Sequence, residues 1–184
     1  MKKIVIVTGS PRPGGNSTLL AKAFGRGAKA EGHEVTFFYS VKEKTEGCLA
    51  CNQCWSKGKP CVNEDGFNEF APLLEAADVI VFATPVYWGT YPAQMKALID
   101  KFYAYGIKRT KVDIRGNRSL YLLACGDGKK ETAFNTILEL AEGFAEFLQW
   151  EFAGTLTVPE LVGAGEITQT NALNEAEVLG SQVR

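Results

Sequence analysis

The stretch IVIVTGSPRPGGNST at residues 4–18 decides the fold of this chain. Its first four residues are β-branched and apolar, which is typical of a strand buried on both faces in a parallel sheet. A turn rich in Gly, Pro and Ser follows, and a helical pattern opens at Asn16. In an open parallel sheet, such a junction lies at the carboxyl end of a strand, where ligands bind.

The same turn carries groups that bind a phosphate. The N–H groups and the positive dipole end of the coming helix face the turn. Ser10, Asn16, Ser17 and Thr18 add side-chain donors, and Arg12 adds a cation that can hydrogen-bond a phosphate. A capped helix with nothing bound is the alternative, since these residue types also cap helices. The patterns G-x-x-x-x-G-K-[ST] and G-x-G-x-x-G are absent from the turn, so the site suits a single phosphate.

Composition restricts the class of protein. The 184 residues predict a single domain over residues 1–184, with 46% hydrophobic and 22% charged residues. A net charge of −1 predicts no strong electrostatic attraction to nucleic acid or to an anionic membrane. No apolar run is long enough to span a bilayer, and no signal peptide is recognisable, so we expect a cytoplasmic protein. Five cysteines in a reducing compartment favour metal or redox chemistry over disulfides.

Apolar runs and helical patterns alternate along the chain. After the first strand we expect strands over 35–39, 79–83, 120–124 and 150–158, and helices over 17–31, 67–76, 93–105, 131–148 and 173–179. This alternation predicts an α/β doubly wound parallel sheet of five strands with helices on both faces. The simplest strand order is 2-1-3-4-5. A cysteine-rich, irregular excursion over about 41–66 interrupts the pattern, and the sequence after about 159 suggests no role.

The predicted order places strands 1 and 3 side by side, so the loops that follow them meet. The loop over residues 84–92 carries Tyr87, Trp88 and Tyr91, and large rings on an exposed loop usually cover something. A glycine turn over 125–128 follows the fourth strand. A single phosphate site with planar aromatic cover suits flavin mononucleotide (FMN). The alternative is that the aromatic rings pack on one another or on a partner subunit.

Three motifs together resemble the NADPH-dependent FMN reductase group of flavodoxin-like proteins. They are GSPR at 9–12 with GNS at 15–17, TPVYWG at 84–89 and QMKALIDK at 94–101. The resemblance covers roughly residues 3–130. It implies a phosphate site, a wall along the isoalloxazine ring and a turn that closes the other side of the ring. The phosphate site would comprise Ser10, Arg12, Gly15, Asn16, Ser17 and Thr18. The wall along the ring would comprise Pro85, Val86, Tyr87, Trp88 and Gly89. The closing turn would comprise Gly126 and Asp127.

The cysteine spacing is similar to that of the iron–sulfur flavoproteins within this group. Cys48, Cys51, Cys54 and Cys61 form a C-x2-C-x2-C-x6-C motif. The resemblance implies a [4Fe–4S] cluster, and two-residue gaps let three thiolates reach one cubane. Zinc also accepts four thiolates. Free thiols, or a disulfide formed on oxidation, are the third possibility, and the three remain open at the level of sequence.

The resemblance implies an FMN-dependent oxidoreductase that passes electrons from NAD(P)H or a reduced carrier to a quinone-like, nitro or azo, or protein acceptor. No side chain need act as an acid or base, so we predict no catalytic residue. The alternatives are an electron-transfer protein that joins FMN to a [4Fe–4S] cluster, and a redox-sensing module without catalysis. A homodimer is expected from the family, with no nucleic-acid or membrane partner.

Overall fold

Five parallel strands form one sheet in the computed structural model, which describes residues 1–106 and 112–184. The strands are β1 (Lys3–Thr8), β2 (Glu34–Tyr39), β3 (Val79–Pro85), β4 (Ser119–Cys125) and β5 (Glu151–Val158). Their order is β2-β1-β3-β4-β5, which confirms the prediction. Because β1 pairs directly with β3, the loops that follow these two strands lie side by side.

Helices cover both faces of the sheet, as predicted. They are α1 (Asn16–Ala30), α2 (Gln53–Lys57), α3 (Gly66–Ala76), α4 (Ala93–Asp100), α5 (Lys130–Ala133), α6 (Asn135–Leu148) and α7 (Ala172–Ser181), with 3₁₀ turns at Lys101–Tyr105 and Glu166–Gln169. Alternate strand residues face opposite layers, so Val5 and Val7 pack on the side of α3, α4 and α6. Ile4 and Ile6 pack on the side of α1 and α7.

Three predicted elements differ in detail. The helix expected over 93–105 is an α-helix only to Asp100 and continues as a 3₁₀ turn from Lys101. The helix expected over 131–148 is broken at Phe134, which ends α5, begins α6 and buries its ring in the core. The cysteine excursion contains the short helix α2, bounded by the left-handed residues Asn52 and Gly58.

The segment after β5 folds back over the first helix. α7 lies so close to α1 that a Cβ atom at Gly27 would meet the backbone oxygen of Glu177 at 1.9 Å. A Cβ atom at Gly180 would meet the backbone oxygen of Phe24 at 2.1 Å. The tail, which the sequence left without a role, therefore completes one layer of the core. Within residues 1–106 and 112–184, every helix is too short or too polar to cross a bilayer.

Candidate functional site

A cavity of about 730 Å³ opens at the carboxyl edge of the sheet, where the loops after β1, β3 and β4 converge. Twelve of the thirteen predicted cofactor-binding residues line it: Ser10, Arg12, Gly15, Asn16, Ser17, Pro85, Val86, Tyr87, Trp88, Gly89, Gly126 and Asp127. Thr18, the remaining one, is buried in the first turn of α1 and does not line the cavity.

The loop after β1 folds tightly around its glycines. The Gly15 N–H donates to the Arg12 carbonyl at 3.0 Å, and the Arg12 N–H donates to Ser10 Oγ at 3.2 Å. A Cβ atom at Gly15 would lie 2.2 Å from Ser10 Oγ, so any larger residue would displace that hydroxyl. A side chain at position 15 would therefore alter the position of Ser10 Oγ, one of the predicted phosphate donors.

A buried hydroxyl at the start of α1 lacks a hydrogen-bonding partner of ordinary geometry. No side chain in the described part of the chain caps the helix. Ser17 Oγ is buried and makes no hydrogen bond to any described residue within ordinary geometry. It adjoins the Cys125 thiol, which is only a weak hydrogen-bonding partner. Orphaned donors at a helix N-terminus fit an anion such as a phosphate, so the observed groups suit the predicted ligand.

The aromatic loop is held by a tight turn. Tyr87 and Thr90 exchange two backbone hydrogen bonds at 2.9 and 3.1 Å. Trp88 and Gly89 both have positive φ, at 51° and 77°, as a type I′ turn requires. The turn leaves Trp88 fully exposed and Tyr87 39% exposed at the rim of the cavity. Both rings are therefore free to contact a ligand or a partner.

Tyr91 belongs to the core rather than to the exposed rim. Its side chain is 6% exposed, and its ring lies 5.8 Å from that of Phe82 in an edge-on contact. Burial raises the pKa of the Tyr91 phenol. Of the three aromatic residues noted in the loop, two therefore stand at the cavity, and Tyr91 anchors the loop beneath them.

The glycine turn after β4 closes the opposite side. Val86 N–H donates to the Cys125 carbonyl at 2.8 Å, so this turn and the aromatic loop are joined at their bases. Cys125 is buried beneath the cavity. Burial raises the pKa of its thiol to about 12, although contact with Ser17 opposes the change. Cys125 is therefore a protonated, small residue of the floor at neutral pH.

Sequence reasoning missed a fourth wall. Residues 161–165, which we call the strap, follow β5 and contribute Leu161, Val162 and Ala164 to the cavity. Thr132, Ala133 and Thr136 also line the cavity without having been predicted. The strap has the sequence LVGAG. A run of small residues permits close backbone approach, and this was the one available signal.

The strap is fastened to the first loop by long-range hydrogen bonds. Asn16 Nδ2 donates to the Gly163 carbonyl at 2.8 Å, and Asn16 Oδ1 accepts from the Gly165 N–H at 2.8 Å. Arg12 Nη1 donates to the Val162 carbonyl at 3.2 Å. Two side chains predicted to face a phosphate are thus directed, at least in part, toward the protein itself.

The four clustered cysteines line a second cavity, of about 30 Å³. Cys48 and Cys51 are exposed, Cys61 is half-buried and Cys54 is buried, and all four are free thiols. Among the described residues, no three Cys, His, Asp or Glu side chains gather as ligands of a metal ion. The donors are those of an iron–sulfur cluster, but a cavity this small admits only a water or two. The residue types fit such a group, and the small volume of the cavity does not.

A buried ion pair braces this segment. Lys101 lines the cysteine cavity and pairs with Asp65, both side chains being less than a tenth exposed. Asp65 also accepts the backbone N–H groups of Glu46 at 2.9 Å and Phe67 at 3.0 Å. Burial alone raises the pKa of Asp65, but hydrogen bonds from Lys101 and these N–H groups outweigh it and lower the pKa. Asp65 therefore connects both ends of the cysteine segment to the end of α4.

Cys54 differs from Cys48 and Cys51 in being buried. Burial raises the pKa of the Cys54 thiol, and the nearby Cys48 and Cys51 raise it further. Cys48 and Cys51 therefore lie close enough to Cys54 to oppose the ionisation of its thiol.

Comparisons with known proteins agree with this geometry. The sequence profile of the NADPH-dependent FMN reductase family matches residues 2–142. An iron–sulfur flavoprotein of Archaeoglobus fulgidus is 29% identical over 99% of this chain and 82% of its own length. An iron–sulfur flavoprotein of Methanocaldococcus jannaschii is 36% identical over 99 residues, which are 54% of this chain and about half, 51%, of that relative.

The fold is also found among solved structures. An azoreductase of Bacillus anthracis superposes over 100% of both chains with a TM-score of 0.73 at 18% identity. At that identity the likeness concerns the fold alone, whereas the profile match covers most of the sequence. The chain therefore belongs to the NADPH-dependent FMN reductase family.

Proposed function

We propose that this chain is an FMN-dependent oxidoreductase that passes electrons from NAD(P)H or a reduced carrier to a quinone-like, nitro or azo, or protein acceptor. The observation that carries the proposal is the 730 Å³ cavity at the switch point between β1 and β3, with orphaned donors at one end and exposed rings at the other. Membership of the FMN reductase family supports it.

The residues of the cavity divide into two ends. Ser10, Arg12, Ser17 and the first N–H groups of α1 would bind the phosphate, because charge-assisted donors suit that group. Pro85, Val86, Tyr87, Trp88 and Gly89 would lie along the flavin ring, and Gly126 and Asp127 would close its other side. When bound, FMN supplies the two-electron transfer, and the protein supplies orientation and a largely enclosed site. No acid or base from the chain is required.

Flavin titration tests the proposal. The purified chain, stripped of any flavin, is titrated with FMN while flavin fluorescence is followed. The loaded protein is then assayed for oxidation of NADPH and NADH with a quinone, an azo dye and a nitroaromatic compound. We expect saturable binding at one site per chain and turnover with at least one acceptor. A folded chain that binds no FMN would overturn the proposal.

The second candidate function is electron transfer through FMN and a [4Fe–4S] cluster, without a small-molecule substrate. It is favoured by the four thiols that line one cavity, and relatives named iron–sulfur flavoproteins support it. Because the cavity is small, its exposed side at Cys48 and Cys51 would have to move outward to admit a cluster.

Iron analysis decides between the two candidates. Protein purified anaerobically is assayed for iron, and its visible spectrum is recorded before and after dithionite. About four irons per chain, lost in Cys51→Ser while flavin is retained, would support the cluster. Cys125→Ser is the matched control, because Cys125 lies outside the cysteine cavity and should leave the iron content unchanged. Flavin without iron would leave a plain FMN reductase.

A further inference from the structure

The strap is the part of the cavity that the family profile does not cover. It lies at residues 161–165, beyond the matched residues 2–142, yet three of its five residues line the cavity. It crosses the same end of the cavity as Ser10, Arg12 and the start of α1, where the proposed phosphate would lie. Its contribution is therefore to the enclosure of the cofactor.

Asn16 is the principal fastening of the strap. Its amide donates to the Gly163 carbonyl, and its Oδ1 accepts N–H groups from Gly165 at 2.8 Å and Ile167 at 3.3 Å. Three hydrogen bonds from one side chain thus hold a segment about 150 residues away in sequence. Such a geometry uses both ends of the amide, which is more than helix capping requires.

The middle of the strap has few contacts besides these bonds. Val162 is 71% exposed, and Gly165 has a φ of +85°. The two ends of the strap have other supports, since Leu161 is buried and its N–H donates to the Gly126 carbonyl at 2.9 Å, and the Gly165 carbonyl accepts from Thr168 Oγ1 at 2.8 Å. Between these ends, Val162 is held by the Arg12 bond to its carbonyl and by the Glu166 carboxylate, which accepts its N–H at 2.8 Å. A glycine-containing segment with exposed side chains has high conformational freedom, so the position of the middle of the strap depends on the Asn16 bonds.

We propose that Asn16 is a positioning residue, which holds the strap over the phosphate end of the cavity and thereby slows the release of bound FMN. In this assignment Ser17 and the N–H groups of α1 bind the phosphate, and Asn16 acts through the strap. The proposal rests on the FMN-binding function proposed above. It differs from the expectation drawn from resemblance, in which Asn16 is itself a phosphate ligand.

Riboflavin, which lacks the phosphate, separates the two roles. Dissociation rates and constants are measured for FMN and for riboflavin, the latter by competition against FMN. For Asn16→Ala we expect FMN and riboflavin to dissociate about tenfold faster, by the same factor, because a displaced strap retains neither flavin. For Ser17→Ala we expect weaker FMN binding with riboflavin unchanged, because only the phosphate contact is lost.

Two further variants provide an independent change in the strap and a control. Gly165→Ala strains the strap at a left-handed φ without changing any residue of the first loop, so it should reproduce the Asn16→Ala result. Asn171→Ala is the matched control. The hydrogen bonds described for the Asn171 side chain join it to Asn174 and Glu175, which both lie on α7. Asn171→Ala should release both flavins at the wild-type rate.

The possible failures are distinguishable. If Asn16→Ala weakens FMN alone, Asn16 is a phosphate ligand and the proposal is wrong. If Asn16→Ala and Gly165→Ala leave both release rates unchanged, the strap does not retain the cofactor. A wild-type chain that binds neither flavin overturns the proposed function itself, before any variant is compared.

Discussion

At the scale of single residues, burial separates Cys125 from the exposed cysteines. The thiolate is the form that alkylating agents attack, and a pKa of about 12 keeps the Cys125 thiol protonated from pH 7 to pH 9. We expect a short pulse of iodoacetamide at pH 8 to modify the exposed Cys48 and Cys51 and to leave Cys125 unmodified, as measured by mass spectrometry of the digested protein.

Denatured protein provides the control for this labelling. Once the chain is unfolded, the environment that raises the pKa of Cys125 is gone, so all five cysteines should react at similar rates. Equal labelling of Cys125 and Cys48 in the native protein would show that the cavity floor is open to solvent, against the observed burial.

Residue types and spacing identified most of the cavity wall, but they did not assign each side chain its partner. The loops at Ser10 and Trp88 were recognisable because glycine, hydroxyl and aromatic residues follow buried strands. Whether Asn16 faces a ligand or the strap depends on a segment about 150 residues away, and no local pattern records that contact. Thr18 does not line the cavity as its neighbour Ser17 does, because one residue along a helix turns a side chain by about 100°.

At the scale of elements, the Asp65–Lys101 pair should dominate the stability of the cysteine segment. Asp65→Asn leaves the buried Lys101 charge without its partner, so we expect the free energy of unfolding at pH 7 to fall by about 3–5 kcal/mol. Urea denaturation followed by tryptophan fluorescence measures this change. Asp100→Asn is the matched control, because the Lys96–Asp100 pair on the same helix is nearly half exposed and should contribute under about 1 kcal/mol.

The effect of Asp65 should also depend on pH in a defined direction. Its pKa is lower in the folded chain than in the unfolded chain, so its contribution is complete above the ordinary aspartate pKa of about 4. That contribution is lost as the pH falls through the lowered folded-state pKa. The difference between wild type and Asp65→Asn should therefore shrink below about pH 4. A difference that stays constant into acid would contradict the ion-pair explanation.

The contact between α1 and α7 depends on glycine. Gly27→Ala would place a Cβ atom 1.9 Å from a backbone oxygen of α7, so we expect a loss of about 1–3 kcal/mol from overpacking. Gly143→Ala, in the exposed face of α6, meets nothing within 4 Å and should instead gain about 0.5–1 kcal/mol of stability. Thermal and urea unfolding of both variants measure the effect, and a neutral Gly27→Ala would show that the helices can separate without cost.

Element types were more predictable than their interruptions. The runs of β-branched residues in β1 and β3 indicated buried strands without ambiguity. The break at Phe134 has no proline or glycine to mark it, and it exists because the ring turns into the core. Helix α2 has only five residues, which is too short for a periodic pattern to reveal.

At the scale of the whole molecule, strand order followed from physical rules that hold for most α/β proteins. Right-handed crossovers and helices on both faces leave few arrangements for five strands, and the observed β2-β1-β3-β4-β5 order is the simplest. The role of the tail was not predictable in this way. Residues 159–184 carry no motif, and their packing on α1 depends on shape rather than on composition.

The fully exposed Trp88 gives the expected homodimer a specific test. We predict that the protein sediments at about twice its 20.0 kDa chain mass, with Trp88 covered by the second subunit. Trp88→Ala should weaken association by about 2 kcal/mol, or roughly 30-fold, in analytical ultracentrifugation. Val178→Ala on α7 is the control for an exposed apolar residue far from the cavity rim, and it should leave the mass unchanged. A 20.0 kDa species at every concentration would contradict the prediction.

The strap has a consequence for the order of events during synthesis. Asn16 leaves the ribosome 147 residues before Gly163, its hydrogen-bonding partner, and that interval lasts roughly 7–30 s at ordinary rates of translation. The nascent chain displays the phosphate loop well before the wall that encloses it exists. If the cavity binds FMN as proposed, the strap would enclose the cofactor only after residues 161–165 have been translated.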